Sequence, residues 1–379
     1  MPPTDQDGQS PIRVLFITRK FPPQVGGMEA LSAGVARGLA WHFPTTVLAW
    51  GRSQRYLPLF LAYAALKGAA LLATRRVDHV HLGDALLAPL GLVLGRLFSV
   101  PVTATACGLD VTWGFPGYQA VAVGSLRRLD AVAAISRATL EECTRRRIPR
   151  GRCVVIPPGI EPTGPTVARD RSALTRLAGM DLGDMRVLVT VGRLVPRKGV
   201  RWFVDEVMPR LPDDIVYLVV GTGPEESAIR GASAERGLGD RVRLLGRLSD
   251  DAVATVYSTA DAFVMPNVVV PGDVEGFGMV AIEAGHAGLP VVAADLQGIA
   301  DAVVGGAGRL VPAGSAESFA AAIEETLANP PDRADVKRSV DETFGWPALA
   351  ERFARFIRDA RERANAHPTR ELSSQASNR

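Results

Sequence analysis

The chain has 379 residues, 47% of them hydrophobic and 22% charged, with 38 Gly, 27 Pro and a net charge of +3. That length exceeds what one hydrophobic core usually fills, so two domains are expected, and the composition excludes a disordered or fibrous chain. So small a net charge speaks against nucleic acid as a partner, which would demand Lys and Arg clustered on one face.

Residues 1–11 are polar, with no basic segment leading into an apolar core, so no signal peptide is expected. Short β-like runs then alternate with helical ones. Strands are predicted at Ile12–Thr18, Thr45–Trp50, Val77–Leu82, Val102–Thr105, Ala131–Ile135 and Val154–Ile156. Helices are predicted at Glu29–Ala40, Leu57–Ala73, Ala85–Phe98 and Ser136–Arg146, the last opened by Ser136 as N-cap. Two of these helices are strongly apolar. Lys67 interrupts one, and Pro89, Gly91, Gly95 and Arg96 interrupt the other. Both fall short of the about 20 clean residues a membrane span needs, so packing on a sheet is expected, with a helix lying on a membrane surface as the alternative.

Pro157-Pro158-Gly159 ends this pattern, and residues 161–184 read as a linker with some helix. The alternation then restarts. Strands are predicted at Arg186–Val191, Ile215–Val220, Val242–Leu245, Ala262–Met265, Pro290–Ala293 and Arg309–Val311. Helices are predicted at Gly199–Leu211, Pro224–Gly237, Asp250–Thr259, Gly278–Ala287 and Glu317–Leu327. A last helix, Pro347–Ala364, precedes a polar tail at 365–379 that is expected to be disordered. The fold class is therefore α/β: two Rossmann-like, doubly wound domains at 12–160 and 185–345, facing a central cleft where the carboxyl ends of their strands bind ligand. Three cysteines, Cys107, Cys143 and Cys153, have no metal-ligand spacing and fit a reduced, cytoplasmic compartment.

The strongest motif is Glu275-Gly276-Phe277-Gly278-Met279-Val280-Ala281-Ile282-Glu283, a loop running into a helix. Its glycines let a ligand approach the backbone, and a helix start offers free N–H groups to an anion. Glu283 lies five residues beyond Gly278, roughly 7.5 Å along the helix, so the two acids suit different hydroxyl-bearing parts of one extended ligand. Ordinary solvated acids are the bland alternative. A second motif, Val191 to Gly199, places Arg193 and Lys198 in a strand-to-helix loop where they can neutralise a departing diphosphate. Gly26 and Gly27 open the first helix in a turn of the kind that approaches phosphate. Neither that turn nor Gly221-Thr222-Gly223-Pro224 has the third glycine of a dinucleotide fingerprint.

Together these residues resemble the retaining glycosyltransferases of the GT-B fold, over nearly the whole chain from Ile12 to Phe356. The resemblance implies that Glu275, the catalytic candidate, contacts the donor sugar. Backbone amides at Gly276, Phe277, Gly278 and Met279 would hold the sugar and distal phosphate, Glu283 the ribose, and Arg193 and Lys198 the diphosphate, aided by Gly26 and Gly27. The backbone near Leu248 would meet the base, and the last helix would cross back to the N-terminal domain. It also implies a retained anomeric configuration with no cofactor and no metal, the cations and helix dipole standing in for the ion. The partners implied are a UDP- or GDP-sugar and a hydroxyl acceptor on a sugar, a lipid-linked glycan or a small metabolite, in the cytoplasm or at the inner membrane face.

One departure stands out. Where relatives carry His-Gly-x-Asp, this chain has Cys107-Gly108-Leu109-Asp110. A thiol cannot supply the hydrogen bonding of an imidazole, so a role for Cys107 is in doubt. Asp110 is a candidate acceptor-site acid or a turn cap. His81 is the better site candidate of the pair His79 and His81. The basic run from Arg145 to Arg152 reads as a solvated face or a contact with anionic lipid. A non-catalytic sugar-nucleotide-binding relative and a nucleotide-sugar epimerase or hydrolase remain as alternatives.

Overall fold

The computed structural model describes residues 11–24, 26–161, 168–271, 273 and 275–366. Two compact units divide the chain: one takes it up to Gly159 and again from Trp346, the other runs Ile160–Gly345. The predicted tail beyond Ala366 and the N-terminal ten residues lie outside the described residues.

The first unit is built on a parallel sheet of β1 (Val14–Thr18), β2 (Thr45–Ala49), β3 (His79–Leu82), β4 (Val102–Ala106), β5 (Ala131–Ala134) and β6 (Cys153–Val155), ordered β2-β1-β3-β4-β5-β6. Its inner strands are buried along their whole length, as expected for short apolar runs covered by helices on both faces. β1 and β3 each start two residues later than the hydropathy predicts. Arg13 and Asp78 turn toward each other there, with the guanidinium donating to both carboxylate oxygens at 2.8 and 2.7 Å, and this half-buried fork closes the lower end of both strands.

Ser136 caps the helix Arg137–Arg145 by accepting from the Thr139 amide at 3.0 Å. The predicted helix Leu57–Ala73 is present, and a 3₁₀ lead-in from Gln54 lengthens it to 20 residues, a length and composition that could cross a membrane. One face, with Phe60, Ala64, Leu71 and Leu72, is buried on the sheet, while Leu59, Tyr63 and Leu66 on the other are exposed. Residues 109–126, not anticipated as helix, form a broken helical run. The last helix, Trp346–Ala366, lies along the first, Gly27–His42. A Cβ on Gly34 would stand 1.8 Å from the Trp346 ring, so only glycine leaves room for that contact.

The second unit repeats the plan with β7 (Arg186–Val191), β8 (Ile215–Val220), β9 (Val242–Gly246), β10 (Ala262–Met265), β11 (Val291–Ala294) and β12 (Gly308–Val311), ordered β12-β11-β10-β7-β8-β9. Phe203, Tyr217 and Phe319 centre its core, with the Phe203 and Tyr217 rings 4.7 Å apart. The buried phenol of Tyr217 donates to the Thr190 hydroxyl at 2.7 Å, which donates to the Val264 carbonyl at 2.5 Å, so neither buried hydroxyl is stranded.

The segment 161–184, read as a linker with some helix, holds a helix and is tied to the second unit from residue 168 onward. Asp170 caps the helix Arg171–Ala178, its own amide donates to the Thr259 hydroxyl at 3.0 Å, and Arg169 pairs with Asp261 at 2.9 Å; residues 162–167 lie outside the described residues. A helix at Arg333–Phe344, capped by Asp332 and buried through Val336, Val340 and Phe344, was also not anticipated.

Candidate active site

In the second unit the strand order reverses at β7. The chain passes from β7 to β8 on one side, and β10 returns on the other. Loops leaving the carboxyl ends of such neighbours diverge, and the crevice they leave is where open α/β sheets bind ligands. Residues 192–199 leave β7 there, and residues 266–278 leave β10.

The first loop folds back tightly. Gly199 has φ +66°, and a Cβ on it would come 1.9 Å from the Pro266 carbonyl oxygen, so the two loops touch through backbone alone. The Val268 amide donates to the Arg197 carbonyl at 3.0 Å and fixes their register. This contact brings Lys198 to Glu275, with Nζ 2.7 Å from Oε2. The same oxygen accepts from Asn267 Nδ2 at 3.3 Å and lies 3.4 Å from Arg197 Nε. Arg197 forks onto both oxygens of Asp273 at 3.0 and 3.1 Å. Two cations and two acids thus alternate at the crevice, with Lys198 and Glu275 only 12% and 15% exposed.

Gly276, Phe277 and Gly278 lead into the helix Met279–His286, which has no side-chain cap on its first turn. An uncapped first turn leaves backbone N–H groups for a ligand. The Phe277 ring turns away into the core against Phe344 at 6.1 Å, so only its backbone faces outward. Gly298 supports the loop from behind, because a Cβ there would come 2.2 Å from the Gly276 carbonyl oxygen. Along the helix, Glu283 is open to solvent on one side and accepts from the Tyr257 phenol at 3.2 Å. Crowding by protein raises its pKa, a rise that the Tyr257 hydrogen bond and the Lys198 charge oppose and the Asp250 charge reinforces. Lys198 therefore acts on both acids of the motif.

Arg193 is exposed on the same loop as Lys198, with no side-chain ion pair among the described residues. Leu248 is half-buried after β9, one residue ahead of Ser249, which caps the helix Asp250–Thr259. Arg197 and Asn267 join the cluster without having been singled out from the sequence, and Asp273, which the sequence marks only as part of an acid pair with the look of a metal site, joins it too. The alternating charges of Arg197-Lys198 and Asp273-x-Glu275 were the available signal.

The remaining candidates belong to the first unit. Gly26 and Gly27 are exposed at the start of the helix Gly27–His42, beside the ion pair of Lys20 with Glu29 at 3.2 Å. Asp110 sits in the position of a turn cap. One of its oxygens accepts from the Ala85 amide at 3.0 Å and the other from the Cys107 amide at 2.8 Å, while burial pushes its pKa up to about 7. Cys107 is buried, and burial together with Asp110 raises its thiol well above the ordinary range, so it is held neutral. His81 is also structural, fully buried with its ring nitrogens 2.9 and 3.1 Å from the hydroxyls of Thr103 and Thr105. In a neighbouring contact Arg19 after β1 meets the fully buried Asp84 after β3 at 3.0 Å, where the strand order of this sheet reverses.

The sequence profile described as "Glycosyl transferases group 1" matches residues 185–329, and that described as "Glycosyl transferase 4-like domain" matches residues 11–159. A GDP-mannose-dependent monoacylated alpha-(1-6)-phosphatidylinositol monomannoside mannosyltransferase of Corynebacterium glutamicum is 26% identical over 91% of this chain and 97% of its own length. The 2-deoxystreptamine glucosyltransferase of Streptomyces kanamyceticus is 30% identical over 71% of this chain and 68% of its own. Among solved structures, HepE from Anabaena in complex with UDP superposes with a TM-score of 0.72 at 19% identity, covering 92% of this chain and all of that one. The sucrose-phosphate synthase of Thermosynechococcus elongatus gives 0.70 at 23% identity, over 92% and 98%. At these identities the superpositions speak to the fold.

Proposed function

The chain belongs to the group 1 glycosyl transferases, and from that premise we propose that it moves a hexose from a nucleotide diphosphate sugar held by its second unit to an acceptor hydroxyl, with retention and without a metal ion. The observation that carries the site assignment is the contact of Lys198 with Glu275 at 2.7 Å, across two loops at the reversal of strand order. In this reading Lys198 and Arg193 take the diphosphate, the amides from Gly276 to Met279 take the distal phosphate and sugar, and Glu275, freed from Lys198 by the incoming phosphate, takes sugar hydroxyls. Glu283, steadied by Tyr257, takes the ribose.

Bond breaking places extra negative charge on the departing diphosphate, and fixed cations beside an uncapped helix start stabilise that charge more than they stabilise the bound donor. The acceptor oxygen then approaches from the side the diphosphate leaves, and a phosphate oxygen receives its proton. Asp273 and Glu275 resemble a metal-binding acid pair in sequence, but each already has a cation of the chain beside it, which supports charge neutralisation by side chains.

Four relatives whose names specify GDP-mannose and a phosphatidylinositol mannoside support a GDP-linked mannose donor and a lipid-borne acceptor. The exposed apolar face of Leu57–Ala73 supports an acceptor presented at a membrane surface. A panel of GDP-, UDP- and ADP-sugars, scored by product mass with phosphatidylinositol mannosides as acceptors, tests the reading. Transfer of mannose from GDP-mannose is expected. Nucleotide release that never depends on an acceptor would overturn it.

A further inference from the structure

Several arginines left over from the active site converge in the first unit. There β6 and the last helix enclose a cavity of about 300 Å³, with the buried ring of Phe356 at its floor. Arg152 reaches it from the strand side, and Arg352, Arg355, Asp359 and Arg363 line it from the helix, at intervals of three and four residues that keep them on one face. Four guanidiniums and one carboxylate thus line it. Two of the heads are pinned by neutral groups: Arg352 donates to the Val155 carbonyl at 2.6 Å and Arg152 to the Leu129 carbonyl at 3.3 Å. Neither bond neutralises charge. Asp130, whose carboxylate accepts from the Val102 amide at 2.7 Å, is a second acid within electrostatic reach of Arg152 and Arg363, so cations still outnumber acids four to two. Among the described residues Arg355 and Arg363 have no ion pair. Burial lowers the pKa of Arg352, and the neighbouring charge of Arg355 lowers it further.

Holding like charges together in a concavity costs free energy unless an anion comes between them. Planar forks converging from two elements match the oxygens of a phosphate group, and the volume admits a phosphate ester. We propose that this cavity is a second ligand site, separate from that of the second unit, and that it binds a phosphate group, carried by a soluble phosphoanion or by the headgroup of an anionic lipid.

Pyrophosphate is the soluble probe and vesicles with phosphatidylglycerol are the lipid probe. Because Arg193 and Lys198 would also take pyrophosphate, calorimetric titrations use the full chain carrying Arg193→Ala and Lys198→Ala. Pyrophosphate binding is expected to persist in that variant and to weaken at least about tenfold when Arg355→Glu and Arg363→Glu are added. Both added substitutions replace exposed heads that hold nothing in the fold, and an unchanged melting temperature confirms this. If flotation with anionic vesicles also falls in Arg355→Glu/Arg363→Glu and pyrophosphate competes with it, the lipid is the source; if only the titration responds, the soluble anion is. No pyrophosphate or vesicle binding by the chain with Arg193→Ala and Lys198→Ala, or binding that Arg355→Glu/Arg363→Glu leaves untouched, overturns the proposal.

Discussion

Lys198 and Glu275 meet at 2.7 Å although 77 positions separate them in the chain. Their strands, β7 and β10, are neighbours in the sheet, and the contact is shielded enough that neither charge is left to bulk water. In the unliganded protein each acts as the other's counterion, and a diphosphate would replace the carboxylate at the ammonium.

Lys198→Ala should lower acceptor-dependent nucleotide release by about 10²–10³-fold, the range found when one fixed donor to a developing anion is removed. Glu275→Gln should also lose most transfer while binding free nucleotide diphosphate at least as well, since it no longer competes for Lys198. Steady-state kinetics and nucleotide titrations read the two effects separately. Activity in either variant equal to wild type would remove the pair from the site.

If side-chain cations alone neutralise the leaving group, transfer should continue in excess EDTA at a rate within about twofold of that with added magnesium. Initial rates under both conditions decide this, and strict metal dependence would reassign Asp273 and Glu275.

Tyr257→Phe removes a hydrogen bond that lowers the pKa of Glu283. With that restraint gone the carboxyl holds its proton to higher pH. The acid limb of the kcat/KM profile for donor should therefore move upward in pH, with kcat at high pH nearly unchanged.

Gly298→Ala places a methyl against the Gly276 carbonyl without touching ligand directly. Overpacking of this kind costs about 1–3 kcal/mol. A lowered melting temperature together with a raised donor KM is expected, because the loop that offers its amides must move. A change in stability with wild-type KM would show that the loop is not used.

The folded pKa of Asp110, about 7, is raised above its ordinary value. The folded state thus holds this proton more tightly than the unfolded one, and stability falls as pH rises through that interval. Wild-type melting temperature should drop between pH 5 and pH 8, while Asp110→Asn should flatten that slope, even if it melts lower throughout for loss of one backbone acceptor. Thermal scans across this range test it.

Much of the fold could be read from the sequence because parallel strands buried on both faces are short continuous apolar runs, as in Val187–Val191 and Val216–Val220. Ends were less legible where a charged pair such as Arg13 with Asp78 stops a strand that hydropathy alone would extend. The helix Arg333–Phe344 escaped notice because its surface is almost entirely polar, with Val336, Val340 and Phe344 as a thin stripe. At the site, the glycine-rich string marked Glu275 and Glu283. Arg197 and Asn267 could not be placed there, because only the contact between loops at Gly199 and Pro266 reveals which side chains share the crevice. Asp110 shows the reverse: a suggestive position in the sequence whose carboxylate oxygens are occupied by backbone amides.

The notch at Gly34 that receives Trp346 has a consequence for biosynthesis. The first helix leaves the ribosome early, yet the side chain that fills its notch is made only after the entire second unit. Until then a greasy strip on that helix has nothing to cover it, and the half made first must wait for the half made last. A nascent chain stopped before Trp346 should therefore attract chaperones and bind a hydrophobic dye, whereas one released after Ala366 should not.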